Sequence, residues 1–218
     1  MSTQDECDLY LAQLMAQVGS ILMGASDASL KAQFFDVLRE FFDNSNVWLE
    51  SIDFVVVSNS LDYPLTPISG RILRLASVVD QNNVQQSAVM PVPGIVHFLY
   101  PYTNTQSMTA TVVKNVDKPL ECFPPDFPQW FLPMYGLGVQ DGILGKMMAQ
   151  PGNSWSDRAT ATYHLQRFRD AMMHARVATR LANKVGAQAW AYPQQYRTTS
   201  QRGGVSTFNV NPTPMHLR

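Results

Sequence analysis

Two stripes of apolar residues with helical spacing open the chain. The first runs from about Asp8 to Gly24 and consists of Leu11, Leu14, Met15, Val18, Ile21 and Leu22. Ser26 follows as a typical N-cap with Asp27 beside the positive helix end. A second stripe then ends at Asn44 and Ser45, and its members are Leu30, Phe34, Val37, Leu38 and Phe41. The spacing predicts two amphipathic helices, which form a hairpin over residues 1–47.

From Trp48 the pattern changes to short β-branched and aromatic runs separated by Pro, Gly and Asn. These runs are IDFVVVS, RILRLASVV, GIVHFLY and SMTATVVKNV. They are typical of strands, and the connectors have the composition of turns. Pro64 and Pro67 lack the backbone donor that a central strand needs, so we place them at a sheet margin. The sequence predicts an antiparallel β module of four strands over residues 48–118.

Helical spacing resumes after the proline-rich stretch CFPPDFPQWFLP. We predict a helix from about Gln129, with Pro133 tolerated in its first turn. One face of this helix carries Tyr135, Val139, Ile143 and Met147. Gly138, Gly142 and Gly145 each cost up to about 1 kcal/mol relative to Ala within a helix. They therefore indicate close backbone packing against a neighbour in the same chain or in another subunit.

A long final helix is predicted after the loop Pro-Gly-Asn. Ser154 or Ser156 is the expected N-cap, with Asp157 in the first turn, and Gly186 ends the helix. A narrow seam follows Ala161, Leu165, Phe168, Met172, Ala175, Thr179 and Ala182. The opposite face is expected to present Arg169, Arg176, Arg180 and Lys184. Residues 119–186 thus supply the C-terminal helices of a helical bundle.

Residues 187–218 have neither helical nor strand periodicity. They nevertheless hold Trp190, Tyr192, Tyr196 and Phe208, although disordered tails are usually poor in aromatic residues. Large rings along an extended segment are typical anchors for the pockets of a partner. We predict an α+β fold in which both chain ends build a helical bundle, a small β module is inserted between them, and an extended C-terminal arm follows.

Charge is distributed unevenly along the 218 residues, although the formal net charge is only −1. Residues 1–62 hold ten acids and only two cations, Lys31 and Arg39. No acid follows Asp170, while Arg176, Arg180, Lys184, Arg197, Arg202 and Arg218 do. Such polarity favours head-to-tail contacts between copies of the chain.

Targeting signals and disulfides are not expected. Cys7 and Cys122 have neither the spacing of a disulfide framework nor that of a zinc site, which fits a reducing compartment. The first residues lack the basic segment of a secretion signal, and no apolar run reaches the roughly 18 residues that a membrane span requires. We expect a cytoplasmic setting and no membrane association.

Motifs for catalysis, cofactors and metals are missing from the sequence. Gly145-Lys146 does not form a phosphate-binding loop, because Gln140 stands where that motif needs glycine and Met147 where it needs Ser or Thr. The four histidines show no metal-binding spacing, and neither cysteine has the context of a nucleophile. We expect no enzyme, cofactor or metal. A site assembled from residues without a local motif stays open as an alternative.

The basic final helix favours two interpretations. Its arginines could contact phosphates without reading sequence, as in a nucleic-acid-binding protein. They could equally be an exposed face or pair with acids of a neighbouring copy. No helix-turn-helix or other nucleic-acid-binding signature accompanies them in the sequence.

The section from Pro133 to Arg176 resembles the head-to-tail adaptor proteins of tailed bacteriophages, also called connector proteins. The resemblance depends on Pro133, Tyr135, Gly142, Leu144, Pro151-Gly152, Trp155 with Asp157, Ala161, Phe168 and Ala175-Arg176. LDYPLTPISGRILRLASV and PGIVHFLYP resemble the β portion of the same family, so the likeness covers about Leu61 to Arg202.

This resemblance implies a structural protein of the virion without catalytic residues. It implies a ring, typically of twelve copies, that docks on the portal protein, joins it to a tail nozzle or tube, and surrounds the exit channel of double-stranded DNA. The arm residues implied to contact the portal are Trp190, Tyr192, Tyr196, Arg197, Arg202 and Phe208. Pro151, Gly152, Trp155 and Asp157 then form the turn between two helices, with a buried Trp155 ring. Another head-completion, tail-terminator or tail-tube protein is the alternative.

Overall fold

The protein has a mixed α+β fold with four helices and two small antiparallel sheets among the residues that the structure describes. These are residues 3–116, 123–124 and 126–182 of a computed structural model. The helices are α1 (Thr3–Ile21), α2 (Asp27–Ser45), α3 (Phe131–Met148) and α4 (Arg158–Ala182). The strands are β1 (Leu49–Val56), β2 (Asp62–Pro64), β3 (Arg71–Asp80), β4 (Ala88–Val92), β5 (Ile95–Phe98) and β6 (Gln106–Asn115).

The six strands form two three-stranded sheets in the orders β1-β6-β3 and β2-β5-β4. The sequence predicted β1, β3, β5 and β6 but missed β2 and β4, both of which are short and contain proline. Pro64 lies in β2 and Pro91 in β4, and both strands are edges of the second sheet. The expected marginal place of Pro64 is confirmed. Pro67 lies outside the strands.

The helices share one apolar core, to which all four of them contribute buried residues. In the described part of the chain, α1 packs against α2 and α3, and α4 packs against the same two helices, whereas any contact between α1 and α4 is weaker than these. Buried rings that fill this core include Phe34, Phe41, Phe42, Phe123, Phe131 and Phe168. Tyr10 of α1 lies at Gly136 of α3, whereas Ala171 and Leu165 of α4 lie at Gly138 and Gly145, so α1 and α4 pack on different parts of α3.

The caps of α2 agree with the sequence. The Ser26 hydroxyl accepts a hydrogen bond from the Ser29 amide, which satisfies one of the free donors at the helix start. The helix ends where Asn46 adopts a left-handed backbone with φ of 59°, and its amide donates to Phe42. Asparagine tolerates this conformation better than most residues, so it makes a suitable stop.

Three glycines let α3 lie close to its neighbours. A Cβ atom at Gly138 would stand 2.6 Å from the Cβ of Ala171, and one at Gly145 would stand 2.8 Å from Cγ of Leu165. At Gly142 it would lie 2.6 Å from Cγ1 of Val37 on α2. The prediction of close backbone packing is confirmed, and the neighbours are α2 and α4 of the same chain.

The turn between α3 and α4 differs from the expectation at its cap. Asp157 itself is the N-cap, because its Oδ1 accepts from the amides of Ala159 and Thr160 at 3.0 and 3.1 Å. The prediction of Ser154 or Ser156 was wrong. The Ser156 hydroxyl instead donates to the carbonyl of Gln150 and accepts from the Asn153 amide, so it closes the loop.

Trp155 packs on the helical core but is only partly buried. Its ring faces Gly24 in the turn between α1 and α2, and its indole nitrogen is buried without a hydrogen-bond partner. The sequence predicted a buried Trp155 ring, but the ring is only half-buried. Pro151 and Gly152 are exposed in the same turn.

A buried lysine joins the first sheet to the segment that precedes α3. Lys114 on β6 is fully buried, and its ammonium contacts the carboxylates of Asp126 and Glu50, the latter at 2.8 Å. The same ammonium lies 4.6 Å from the centre of the Trp48 ring, within range of a cation–π interaction. Glu50 also accepts from the Ile68 amide, and Asp126 accepts from the Ser69 hydroxyl. The buried ammonium thus faces two carboxylates, although Oε2 of Glu50 makes no hydrogen bond of acceptable geometry.

Candidate interaction surfaces

The predicted arm lies outside the described residues. This applies to Trp190, Tyr192, Tyr196, Arg197, Arg202 and Phe208, and also to Lys184 of the predicted basic face. The description of α4 ends at Ala182. The candidate sites that can be described are the outer faces of α1 and α4, a polar contact between α3 and α4, and one cavity.

The outer face of α4 combines arginines with apolar side chains. Arg169, Met173, Val177 and Arg180 follow one another at intervals of four, four and three residues, which places them along one face of the helix. All four are exposed, Met173 to 56% and Val177 to 50%. Apolar side chains of this size flanked by guanidinium groups are typical of protein interfaces, where methionine and arginine are enriched and lysine is depleted.

Arg176 departs from the expectation that it shares this face. It lies four residues after the buried Met172 and next to the buried Ala175, so it stands at the border of the core. Its side chain is half-buried, and its Nε atom is inaccessible without a hydrogen-bond partner. The structure thus brings Arg169 and Arg180 together on the exposed face and turns Arg176 towards the helical core.

Sequence reasoning missed a polar contact between α3 and α4. Asp141 is buried on α3, and its two oxygens lie 2.7 Å from Nδ1 of His164 and 3.1 Å from Nε of Arg167. The guanidinium of Arg167 also lies 5.7 Å from the centre of the Tyr163 ring. The hydrogen bond with Tyr163 and the charge of Asp141 raise the pKa of Arg167 above its ordinary value. None of these four side chains is a serine or cysteine nucleophile. The contact joins α3 to α4.

The outer face of α1 contains almost no charge. From Leu9 to Ile21 the exposed residues are Leu9, Ala12, Gln13, Ala16, Gln17, Ser20 and Ile21. Leu9 and Ile21 are exposed to 51% and 48%. The acids of α1 are confined to its first two turns, at Asp5, Glu6 and Asp8, and the helix has no Lys or Arg. A solvated helix usually covers its outer face with charged side chains, so this face is unusual.

An open cavity of about 420 Å³ lies where β1 begins and the described part of α4 ends. Aromatic and apolar side chains form most of its wall, and Asp126 contributes a carboxylate. The lining residues include Trp48, Trp130, Met134, Tyr135, Ala178 and Thr179. The rim is apolar too, since Trp130 is 48% and Met134 64% exposed. Such a cavity has the size and lining to accept a large apolar or aromatic side chain.

The described part of the chain offers neither a cluster of metal ligands nor a helix that could span a membrane. No group of three His, Cys, Asp or Glu side chains is arranged to hold a metal ion there. None of the described helices is both long and apolar enough to cross a bilayer.

Comparison with known proteins assigns the chain to no family. No family model matches its sequence, and no curated protein matches it. The functional proposal therefore starts from the surfaces described above and from the resemblance of Pro133–Arg176.

Proposed function

We propose that this protein is a structural component of a virion, a head-to-tail adaptor that forms a ring beneath the portal of a tailed bacteriophage. The ring, of about twelve copies by the resemblance, joins the portal to a tail nozzle or tube and surrounds the channel through which double-stranded DNA leaves. The single observation that supports this best is that α1 and α4, which both pack on α2 and α3, each expose a different outer face. A subunit that offers two different flanks is suited to a closed ring.

In this proposal the helices form a bundle built from both ends of the chain. The β module of residues 48–118 is inserted between them, and residues 187–218 form the arm. Lys114 and Asn115 on β6 contact the helical part of the protein. These contacts are compatible with insertion of the β module at one end of the bundle. The Asn115 amide donates to the carbonyl of Arg39 and to the carboxylate of Asp43 on α2, at 3.0 and 2.7 Å.

Attachment to the portal is proposed to depend on repetition. One arm with a few aromatic anchors binds weakly, but copies held in a ring bind at high effective concentration, so the assembly is firmly attached. DNA passes through the ring without sequence recognition. No catalytic residue, cofactor or metal takes part in this proposal.

The test uses the full chain and the portal protein encoded in the same genome. Deletion of the residues after Gly186 should abolish co-sedimentation with assembled portal while circular dichroism and melting temperature stay unchanged. A quadruple substitution W190A/Y192A/Y196A/F208A should have nearly the same effect, and R197A/R202A, which removes the two arm arginines implied to contact the portal, should weaken binding as well. Undiminished binding of the truncated chain to portal would refute the role of the arm.

Two alternatives have distinct outcomes in the same experiments. Binding to the tail tube and not to portal would identify another virion joint, such as a head-completion, tail-terminator or tail-tube protein. Arg169 and Arg180 give a nucleic-acid-binding protein some support. That function would be indicated by tight binding of the monomer to duplex DNA, with an affinity that falls steeply as salt rises.

A further inference from the structure

We propose that the β module binds an extended peptide segment of another protein, which adds as a strand to the free edge of β3 in a groove between β3 and β4. This inference goes beyond the proposed function, which gives the β module no partner, and it holds whether or not the protein is an adaptor. Main-chain hydrogen bonds supply most of the affinity when a peptide extends a sheet in this way.

The groove arises because two consecutive strands belong to different sheets. β3 is an edge of the first sheet, and β4 is an edge of the second. The two strands are bridged next to the turn that joins them, where Val79 pairs with Gln85 and the Gln86 amide donates to the Val78 carbonyl at 2.8 Å. β4 then leaves β3 and pairs with β5. An open groove of about 300 Å³ remains between the two edges.

The closed end of this groove is held by side chains as well. Nε2 of Gln86 donates to the carboxylate of Asp80 at 3.1 Å, and Oε1 of Gln86 accepts from the Tyr102 hydroxyl at 2.9 Å. Oδ1 of Asp80 accepts from the amides of Asn82 and Val84 within the turn. This network fixes the two strands where they diverge, so the groove is pre-organised for a partner.

The edge of β3 offers unpaired main chain to this groove. Along residues 73–77, β3 pairs with β6 alone among the described strands. The register with β6 skips Leu73 and Ala76, so these two bulged residues have no partner opposite them, and both line the groove. β3 also contains no proline, whereas β2 and β4 each contain one. Free N–H and C=O groups on a strand edge are a template for another strand.

The side chains around this edge decide what kind of segment fits. Leu75, Ala88 and Met90 line the groove, are half-buried and pack on the core of the β module. Successive side chains of a strand point to opposite sides, so a docked segment places every second side chain over these apolar groups and the others in solvent. Residues 73–77 of β3 span about 17 Å at roughly 3.4 Å per residue, so a segment of about five residues matches the edge.

Charge complementarity specifies one more property of the partner. Arg74 is the single charged residue among the described residues that line the groove. Its guanidinium donates to the backbone carbonyl of Asp43, which has no full charge to neutralise it. The partner is therefore a segment of alternating apolar and polar side chains with an acidic residue at the end that lies near Arg74.

The experiment uses the full-length protein and a fluorescein-labelled synthetic peptide as the probe. In this peptide valine and threonine alternate over five positions, and two glutamates flank the run on each side. Fluorescence anisotropy at low salt should show saturable binding. Two N-methylated versions are the matched probes, one methylated at the valines and the other at the threonines. Because alternate N–H groups of a strand point to opposite edges, the version whose methyl groups face β3 should lose at least about tenfold in affinity, and the other should keep it.

A charge swap tests the role of Arg74. R74E should weaken binding of the glutamate-flanked peptide at least about tenfold and should strengthen binding of the same peptide flanked by lysines. Gain of affinity for the lysine peptide excludes loss of the fold as the explanation. R158E makes the same change in net charge at an exposed position at the start of α4 and should leave both affinities unchanged.

Hydrogen exchange with and without the peptide locates the bound segment. The amides of residues 73–77 should exchange more slowly in the complex, whereas those of β1, the other edge of the first sheet, should not change. Protection at β1 in place of β3 would overturn the proposal, and so would absence of binding or undiminished binding of both N-methylated peptides. Protection of residues 73–77 that exists without peptide and disappears on dilution would identify a second copy of the chain as the occupant, which would refute a separate partner.

Discussion

Replacing Lys114 with methionine tests how the first sheet is joined to the helical part. The ammonium of Lys114 is fully buried and contacts two carboxylates whose side chains are only 11% and 20% exposed, those of Glu50 and Asp126. Methionine has a similar length and apolar stem, so contact with the ring of Trp48 is largely kept. The main effect of K114M is that two partly buried carboxylates lose their counter-charge.

Removal of one partner from a buried ion pair typically costs about 3–5 kcal/mol. We expect K114M to lower the free energy of unfolding by that amount. With a denaturant dependence of about 2 kcal/mol per molar urea, the midpoint of unfolding should fall by roughly 1.5–2.5 M. The triple variant E50Q/K114M/D126N removes all three charges together and should recover most of the loss.

The pH dependence gives an independent measurement. Burial alone would raise the pKa of Asp126, but hydrogen bonds from Lys114 and Ser69 and the Lys114 charge outweigh it and hold this pKa below the ordinary 3.8. A depressed pKa means that the stabilisation is complete above 3.8 and is lost as pH falls through the lowered value. The difference between wild type and K114M should therefore shrink as pH drops below about 4.

Urea unfolding monitored by tryptophan fluorescence and circular dichroism at pH 7 and at pH 3.5 would check both expectations. The reasoning is refuted if K114M is within about 1 kcal/mol of wild type at pH 7. It is also refuted if the triple variant is no more stable than K114M, because the loss would then come from packing and not from unpaired charge.

Substitutions at three further positions test the helical part by thermal and urea unfolding. G142A adds a methyl group 2.6 Å from Val37, so it should destabilise by about 1–3 kcal/mol even though Ala favours helix; stabilisation would disprove the close packing. D157A should lower the melting temperature, and D157N should lower it much less. Hydrogen bonds from Thr160 lower the pKa of Asp157, so the advantage of wild type over D157A should fade at acid pH. Equal melting temperatures of wild type, D157A and D157N at pH 7 would contradict the role of Asp157 as the cap. W155A removes a half-buried ring that faces Gly24, and we expect a loss of roughly 1–3 kcal/mol, below the 3–5 kcal/mol of a fully buried ring; no loss would show that the ring is dispensable for the turn.

Periodicity predicted the helices and strands whose signals lie within their own local sequence. The stripe of α2 and its Ser26 cap were recovered, since an amphipathic helix and its start signal are both local. β2 and β4 were missed because each contains a proline that argues against a strand. The cap of α4 was misplaced because several adjacent polar residues can serve as an N-cap, and only their hydrogen bonds distinguish them.

The candidate surfaces were recovered only in part. Arg169 and Arg180 were correctly placed on the exposed side of α4, but the border position of Arg176 depends on how far α2 and α3 wrap around the helix. The contact of Asp141 with His164 joins residues 23 positions apart, and nothing in either local sequence pairs them. The sequence also did not predict that α1 exposes an uncharged face. A stripe of apolar residues shows which side of a helix is buried, but not which of the other sides stays exposed to solvent.

The proline at each margin of the second sheet restricts how the protein can aggregate. Pro64 in β2 and Pro91 in β4 have no backbone N–H to donate to an added strand. Extension of the sheet by strand pairing at either edge is therefore disfavoured. Many copies crowded into a small volume could otherwise join their sheets edge to edge into fibres. The two prolines thus disfavour open-ended polymers formed by strand pairing. Association between copies then depends on a limited number of side-chain contacts.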